Sequence, residues 1–547
     1  MSPLPGKTLR PTLLASTCAL LVLVAGLLQS CLKRETLAAR GAREQVLHRG
    51  IGHELEDLDP HFAAVASDYH VLSALFEGLV AEDPVDLHPV PGVAERWDCS
   101  DDGRVFTFHL RRDARWSDGS PLGSADFAAS FRRVLSPALG AKGAPALYVL
   151  RGAEAYHRGE TRDFSTVGVE APDAHTLRLT LREPRASFLA MLAQPVWFPV
   201  HLPSIARLGP VEQRGNAWAR PETMVCNGPF TLAEWSVNHR IVVRKSANYW
   251  DAARVRLREI HFYPLSVDTE ERAFRAGQLH LTDALPAGKG PVYQRLHPGR
   301  LRTDPLLGTY FFRLNTRLPA LADARVRRAL SLSVDRPAII ASILQGGQKP
   351  ATSFTPTGIA GYVPPQTEGR NLVEARRLLA EAGHPGGAGL PALEILFNSS
   401  DTHRAVAEAL QEMWRKELGL RVKLVNMEQT SVLNARRTGD YQILRSSWTA
   451  DYADPENFLG IWTSASGDNF TGWSSPAYDA LIAEAARTID GNRRKELYAA
   501  AESILMEASP FIGIYHYTHL FLIHPSVRGW HPTALDHHPY KHVWLEP

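Results

Sequence analysis

Hydrophobic and polar positions change their rhythm along this chain. In the first half, short alternating runs dominate. V-L-H-R-G-I from Val46 predicts an opening strand, and after Leu58-Asp59-Pro60-His61 a helix-like segment ends in L-F-E-G-L at Leu75. F-T-F-H-L (Phe106 to Leu110), the turn Ser117-Asp118-Gly119 and T-L-R-L-T-L from Thr176 predict a β-rich unit with interspersed helices. Pro195, Pro199, Pro203, Pro210 and Pro221 then crowd a stretch in which long helices are disfavoured, which marks a crossing between units. Beyond Tyr310 helical and strand patterns alternate: V-R-R-A-L-S-L at Val326, E-A-R-R-L-L-A-E-A-G at Glu374, L-E-I-L-F-N at Leu393, an amphipathic helix from His403 to Leu418, and V-K-L-V at Val422. That order predicts an α/β unit with parallel strands.

A length of 547 residues exceeds one simple core and predicts two to four domains. The apolar fraction of 44% and charged fraction of 22% are those of a soluble globular protein. Lys7 and Arg10 alone account for the formal charge of +2, so the rest of the chain is neutral and offers no electrostatic case for nucleic acid. Those two charges precede an apolar run from Leu13 to Leu28, closed by Leu28-Gln29-Ser30-Cys31. The segment resembles a bacterial lipoprotein signal over residues 1–30, with Cys31 as the lipidated residue; Gln29 is uncommon in such a box, and an ordinary cleaved signal or an anchor helix stays open. On that reading the folded body works outside the cytoplasm, in the periplasm or at the cell surface, held to a membrane.

Cys99 and Cys226 are then the cysteines of the body, and whether they pair is left open. No metal-type spacing of Cys or His occurs, and His537-His538 reads as a surface feature. There is no G-x-S-x-G, H-E-x-x-H or phosphate-binding G-x-x-x-x-G-K-[ST] segment, so neither an enzyme nor a cofactor is indicated.

The chemistry gathers in W-T-A-D-Y-A-D-P-E-N-F-L, from Trp448 to Leu459. A carboxylate in so apolar a stretch is costly to bury unless a cation meets it, so Asp451 reads as a buried receptor for an ammonium group that need not belong to the protein. An aspartate beside an aromatic residue and near Pro455 also fits a turn or a helix cap.

Taken in order, the segments resemble the oligopeptide-binding family of extracellular solute-binding proteins of ABC transporters, nearly end to end. The resemblance runs through L-D-P-H at Leu58, L-F-E-G-L at Leu75, P-G-V-A-E-R-W at Pro91, F-H-L-R-R-D-A-R-W-S-D-G at Phe108, N-G-P-F-T-L at Asn227 and N-Y-W at Asn248. It continues with D-A-R-V-R-R-A-L at Asp323, A-E-A-G at Ala380, F-N-S-S-D-T-H at Phe397 and W-T-A-D-Y-A-D-P at Trp448. It implies an α/β, periplasmic-binding-protein-like two-lobe fold with mixed sheets, a hinge and an additional inserted domain. Lobe I would gather residues 44–76, 200–307 and 519–547; the additional domain II would be 77–199, and lobe III 308–518.

The resemblance also implies a function and a set of residues. Short peptides with a free N-terminus would lie extended between the lobes, and the receptor, a monomer, would deliver them to an ABC permease. Asp451 would take the α-ammonium. The main chain at Ser446, Ser447, Trp448 and Thr449 would pair with the guest, and Ala64, Val65 and Ala66 would pair with it from the opposite lobe. Trp448 would wall a side-chain pocket, Arg445 and His403 would meet the carboxylate end, and Tyr310 would donate to the guest backbone or simply be core. Three positions depart from relatives: Asp283-Ala284 stand where Asn-rich residues are common, Ala64 where some carry an acid, and Ala453-Asp454 follow Tyr452 in place of Asn-Glu or Asn-Asp. Members of the family also take dipeptides, cell-wall peptides, nickel complexes or haem, and these, with an unrecognised peptidase, are the alternatives.

Overall fold

The computed structural model describes residues 35–63, 66–286, 288–359 and 361–547. Cys31, Ala64 and Val65 lie outside the described residues. Helix α1 (Leu37–Glu44) leads into β1 (Val46–Gly50), and α2 (Ala66–Leu75) follows. Four strands come next, β2 (Ala94–Cys99), β3 (Val105–Leu110), β4 (Val169–Asp173) and β5 (Thr176–Thr180), then β6 (Phe230–Ser236), β7 (Arg240–Lys245) and β8 (Glu259–Tyr263). The remainder alternates: β9 (Leu301–Leu314), α3 (Ala324–Leu332), β10 (Lys349–Pro350), β11 (Leu393–Asn398), α4 (Asp401–Leu418), β12 (Val422–Met427), β13 (Ile443–Thr449), α5 (Pro455–Leu459), α6 (Gly491–Ala508) and β14 (Phe511–Leu522).

Each larger sheet backs onto its own apolar core. The sheet ordered β1-β8-β7-β6 buries Leu47, Phe230, Val243, Ile260 and Phe262 together with Trp530 and Tyr540 from the C-terminal segment. In the antiparallel sheet β2-β3-β5-β4, strict alternation along β3 turns Phe106, Phe108 and Leu110 inward against Leu177, Leu179 and Trp197. The third sheet is mixed, in the order β10-β14-β9-β13-β11-β12, antiparallel through β9 and β13 and parallel from β13 to β12. It is covered on both faces, by Tyr310, Phe312 and Trp414 on one and by Phe311, Phe354 and Trp462 on the other.

Two long strands connect the first sheet region to the third. β9 and β14 pair from Leu301↔Leu522 to Pro305↔Thr518, lose register, and pair again from Thr309↔His516 to Arg313↔Phe511. The first stretch is tied to the β1 sheet through Leu281, which bridges Arg49 of β1 on one side and Ile523, just past β14, on the other. The second lies in the middle of the mixed sheet. Pro305 lacks the donor a regular ladder needs, and the irregularity follows directly after it.

One expectation needs correction, and one open question is answered. His537-His538 is no surface feature: His538 is buried with its Nε2 2.9 Å from Asp536 Oδ1, and His537 is stacked on Tyr69 beside Glu82. Cys99 is exposed and Cys226 buried, and both are free thiols, so no disulfide links them.

Candidate functional site

β13 is central in its sheet for only part of its length. On one side it pairs with β9 without interruption, from Gly308↔Thr449 to Leu314↔Ile443. On the other side β11 meets only Ile443 and Leu444. Ala450 N–H donates to Leu307 C=O and Asn315 N–H to Gln442 C=O, which fixes the phase of the antiparallel ladder. Residues of even number spend their peptide groups on β9, and those of odd number turn them away. Arg445, Ser447 and Thr449 therefore present N–H and C=O groups along an edge that no strand covers among the described residues.

This corrects part of the expected site. The main chain of Ser446 and Trp448 is occupied by β9, so the free edge belongs to Ser447 and Thr449 together with Arg445. Ser446 is buried, Ser447 and Trp448 are half-buried, and Thr449 is exposed. Ala66 is the first residue of α2.

Beyond Thr449 the chain turns, and three carboxylates follow within six residues. Asp454 caps α5 through Glu456 N–H and is held by both terminal nitrogens of Arg494 at 2.7 Å. Glu456 is bonded by Arg185 and by Ser187 Oγ. Asp451 has no ion pair among the described residues. Its setting is fixed by Asn457, whose Oδ1 accepts from Asp451 N–H (3.4 Å) and from Trp448 Nε1–H (3.0 Å), while Gln194 Nε2 donates to Asp451 C=O at 3.2 Å. The cap and turn reading thus belongs to Asp454, and Asp451 is left unneutralised.

The expected burial of Asp451 is corrected, because the residue is exposed. Protein nonetheless crowds around its carboxyl group: desolvation raises its pKa, an effect the Asn457 amide opposes and Asp468 reinforces.

At the other end of the free edge stands Arg445, half-buried and without an ion pair among the described residues. Its guanidinium lies 4.6 Å over the ring of Tyr310 and 3.4 Å from Tyr517 Oη, and Tyr310 stacks on Tyr515 at 4.7 Å. Tyr310 is fully buried with its hydroxyl 3.3 Å from His403 Nδ1, so it supports Arg445 and His403 from the core side. His403, three residues into α4 from its Ser400 cap, has its pKa lowered to about 4 by burial and by Arg445. It is neutral at pH 7, and of the two expected groups only Arg445 carries charge there. Asn457, Gln194, Tyr515 and Tyr517 escaped the sequence reading. Only the tyrosines left a trace, the period-two spacing in I-Y-H-Y-T.

The profile of the family described as "Bacterial extracellular solute-binding proteins, family 5 Middle" matches residues 88–470. The periplasmic oligopeptide-binding protein OppA of Escherichia coli K12 is 35% identical over 89% of this chain and 90% of its own length. The probable deoxycholate-binding periplasmic protein YgiS of the same strain is also 35% identical, over 92% and 93%. The solved unliganded open form of the murein tripeptide-binding protein MppA superposes with a TM-score of 0.82 at 34% identity, covering 92% of this chain and 97% of that one. A second MppA structure, from Escherichia coli, gives a TM-score of 0.73 at the same identity. The chain belongs to the family 5 extracellular solute-binding proteins and has their two-lobe α/β fold.

Proposed function

We propose that this member of the family is an extracytoplasmic receptor that binds short peptides in extended form and hands them to an ABC importer, without catalysing a reaction on them. The observation that carries this reading is the free edge of β13 between an unpaired cation and an unpaired anion. A guest strand added there bonds through its own main chain, which makes binding tolerant of side-chain sequence. Its ammonium end lies toward Asp451 and its carboxylate end toward Arg445. Four strand steps separate Arg445 from Thr449, about 13 Å at 3.3 Å per residue, which suits guests of roughly three to five residues.

Closure about the β9–β14 ribbon would bring the lobe that contains Ala64 and Val65 onto the other side of the guest, and the ligand favours the closed state because only there do both lobes touch it. Closure also removes water from Asp451, so a guest without an ammonium leaves that charge unmatched at a cost of about 2 to 5 kcal/mol. Lipidation at Cys31 would hold the receptor at the membrane beside its permease.

Titration calorimetry on the purified full-length protein, unfolded and refolded to remove carried ligand, tests the reading. Ala-Ala-Ala is expected to bind one-to-one and its N-acetyl form at least a hundredfold more weakly; equal affinity for the two, or no peptide binding, rejects it. The similarity to a relative named for deoxycholate supports a second reading, in which Arg445 meets the carboxylate of a steroid. Deoxycholate binding that persists in Asp451→Asn while no peptide binds would favour it.

A further inference from the structure

Away from β13, on the far side of the mixed sheet, a pocket of about 340 Å³ opens between α3, the C-terminal turns of α6 and the start of β14. That volume is within the range of small-molecule sites. Two guanidinium groups line it, and neither makes an ion pair among the described residues. Arg336 is 5% exposed and donates from Nε to Gly513 C=O (2.7 Å), from Nη1 to Ser331 C=O (3.2 Å) and from Nη2 to Ser331 Oγ (2.9 Å). A guanidinium has five N–H groups, so one on each terminal nitrogen lacks an acceptor among the described residues. Arg328, one helical turn before Ser331, is half-buried and makes no hydrogen bond or ion pair among the described residues. The Ser331 hydroxyl accepts from Arg336 and donates to no described group.

Other buried arginines of this lobe face packed protein, not a cavity. Arg327 donates to the carbonyls of Ala508, Ser509, Leu321 and Ala322, and Arg313 lies among Phe311, Trp462 and Phe470. Neither lines the pocket. A buried cation without an anion carries a desolvation cost that a mobile anion can offset, and among these arginines it is Arg336 that lines a cavity able to admit one. Burial alone depresses the pKa of Arg336 to about 10, with no carboxylate acting against it.

We propose that this pocket is a second anion site, separate from the peptide strand, and that it takes a small organic monocarboxylate. Three features select that class. The unsatisfied donors of Arg336, Arg328 and Ser331 suit a carboxylate edge. Leu332, Met506 and Phe511 supply an apolar wall for the body of the ligand. Glu368 and Glu507, both exposed, line the same pocket and oppose multiply charged anions such as phosphate. The floor is tied to β14, since Arg336 holds the carbonyl of Gly513 where that strand loses register with β9, two residues before Tyr515.

The test uses benzoate, its neutral isostere benzamide and inorganic phosphate, measured by calorimetry on the full-length protein. Arg445→Gln first removes the unpaired cation of the strand site. In that background benzoate is expected to bind one-to-one, with benzamide and phosphate each at least tenfold weaker. Adding Arg328→Gln should weaken benzoate at least tenfold; Arg328 has no bonded partner to lose, and an unchanged thermal midpoint without ligand verifies the fold. The proposal is overturned if Arg445→Gln abolishes benzoate binding, if Arg328→Gln leaves it unchanged, or if benzamide or phosphate binds as well as benzoate. Failure of the peptide reading would show only in the Ala-Ala-Ala titration.

Discussion

Asp536 and Asp451 sit in similar local sequences, D-H-H-P and D-Y-A-D-P, and in opposite surroundings. Asp536 is buried at the root of the crossing strands. His538 Nε2 and His519 Nδ1 approach its Oδ1 at 2.9 and 3.0 Å, His70 Nε2 its Oδ2 at 3.2 Å, and Arg49 stands 3.9 Å away. Burial would raise the pKa of Asp536, but His519 and its other partners hold it well below the ordinary value. Asp451 is exposed, has no cation among the described residues, and has its pKa raised by desolvation. A carboxylate matched from within holds the fold together; one left unmatched at the surface is free of that duty. The identity of the residue and its neighbours in sequence does not distinguish the two.

The largest test of that contrast is Asp536→Asn. It leaves the Arg49 guanidinium and the His519 imidazolium without their anion, and about 3 kcal/mol of unfolding free energy should be lost. Urea unfolding followed by circular dichroism measures it, and a loss below about 1 kcal/mol would break the comparison. Asp451→Asn should do the reverse: unfolding free energy within about 0.5 kcal/mol of the parent or slightly above it, and affinity for Ala-Ala-Ala reduced by about 2 to 3 kcal/mol, roughly a hundredfold.

Titration sharpens the contrast further. His519 is pulled down by burial but raised overall to about 9 by Asp536 and Asp283. A base whose folded pKa lies above its unfolded value near 6.5 contributes stability that is complete below that value and is lost as pH rises through about 9. His70 and His538 are lowered by burial to about 4, as are His61, His280 and His516, and His48 to about 3. For these the unfolded chain takes up protons first as pH falls, so stability is lost from about 6.5 downward. Urea midpoints should therefore peak near pH 6.5 to 7 and decline on both sides. Asp536→Asn should flatten the alkaline decline and leave the acid one; an alkaline limb that survives the substitution would remove His519 as its source.

The smallest effect concerns the support of Asp451. Asn457→Ala removes the acceptor shared by Asp451 N–H and Trp448 Nε1–H, and peptide affinity should fall by about 1 kcal/mol, near fivefold, with a comparable loss of stability. A hundredfold loss would mean that Asn457 touches the guest itself.

Much of this architecture was legible in the chain. The alternation in F-T-F-H-L is the inward and outward pattern of β3, and the predicted helix from His403 to Leu418 falls within α4. The unsatisfied Asp451 was legible as a residue type, since a lone acid in an apolar stretch asks for a cation. Its exposure was not, because accessibility depends on how far two lobes stand apart, and no local pattern carries that distance. Nor was the division of labour along β13. Which of Ser446, Ser447, Trp448 and Thr449 keeps a free peptide group follows from the phase of pairing with β9, where a shift of one residue exchanges every group between the two edges.

Sequence by itself determined the elements, their order and the residue types available at each end of the candidate strand, because periodicity and composition act over a few neighbours. Tertiary structure alone decided which charges are cancelled. Asp454 found Arg494, Glu456 found Arg185 and Asp536 found His519 and Arg49 across gaps of tens to hundreds of residues, while Asp451, Arg445, Arg328 and Arg336 make no ion pair among the described residues. Electrostatic compensation depends on separation in space, and separation in space is set by packing between segments that are remote in the chain.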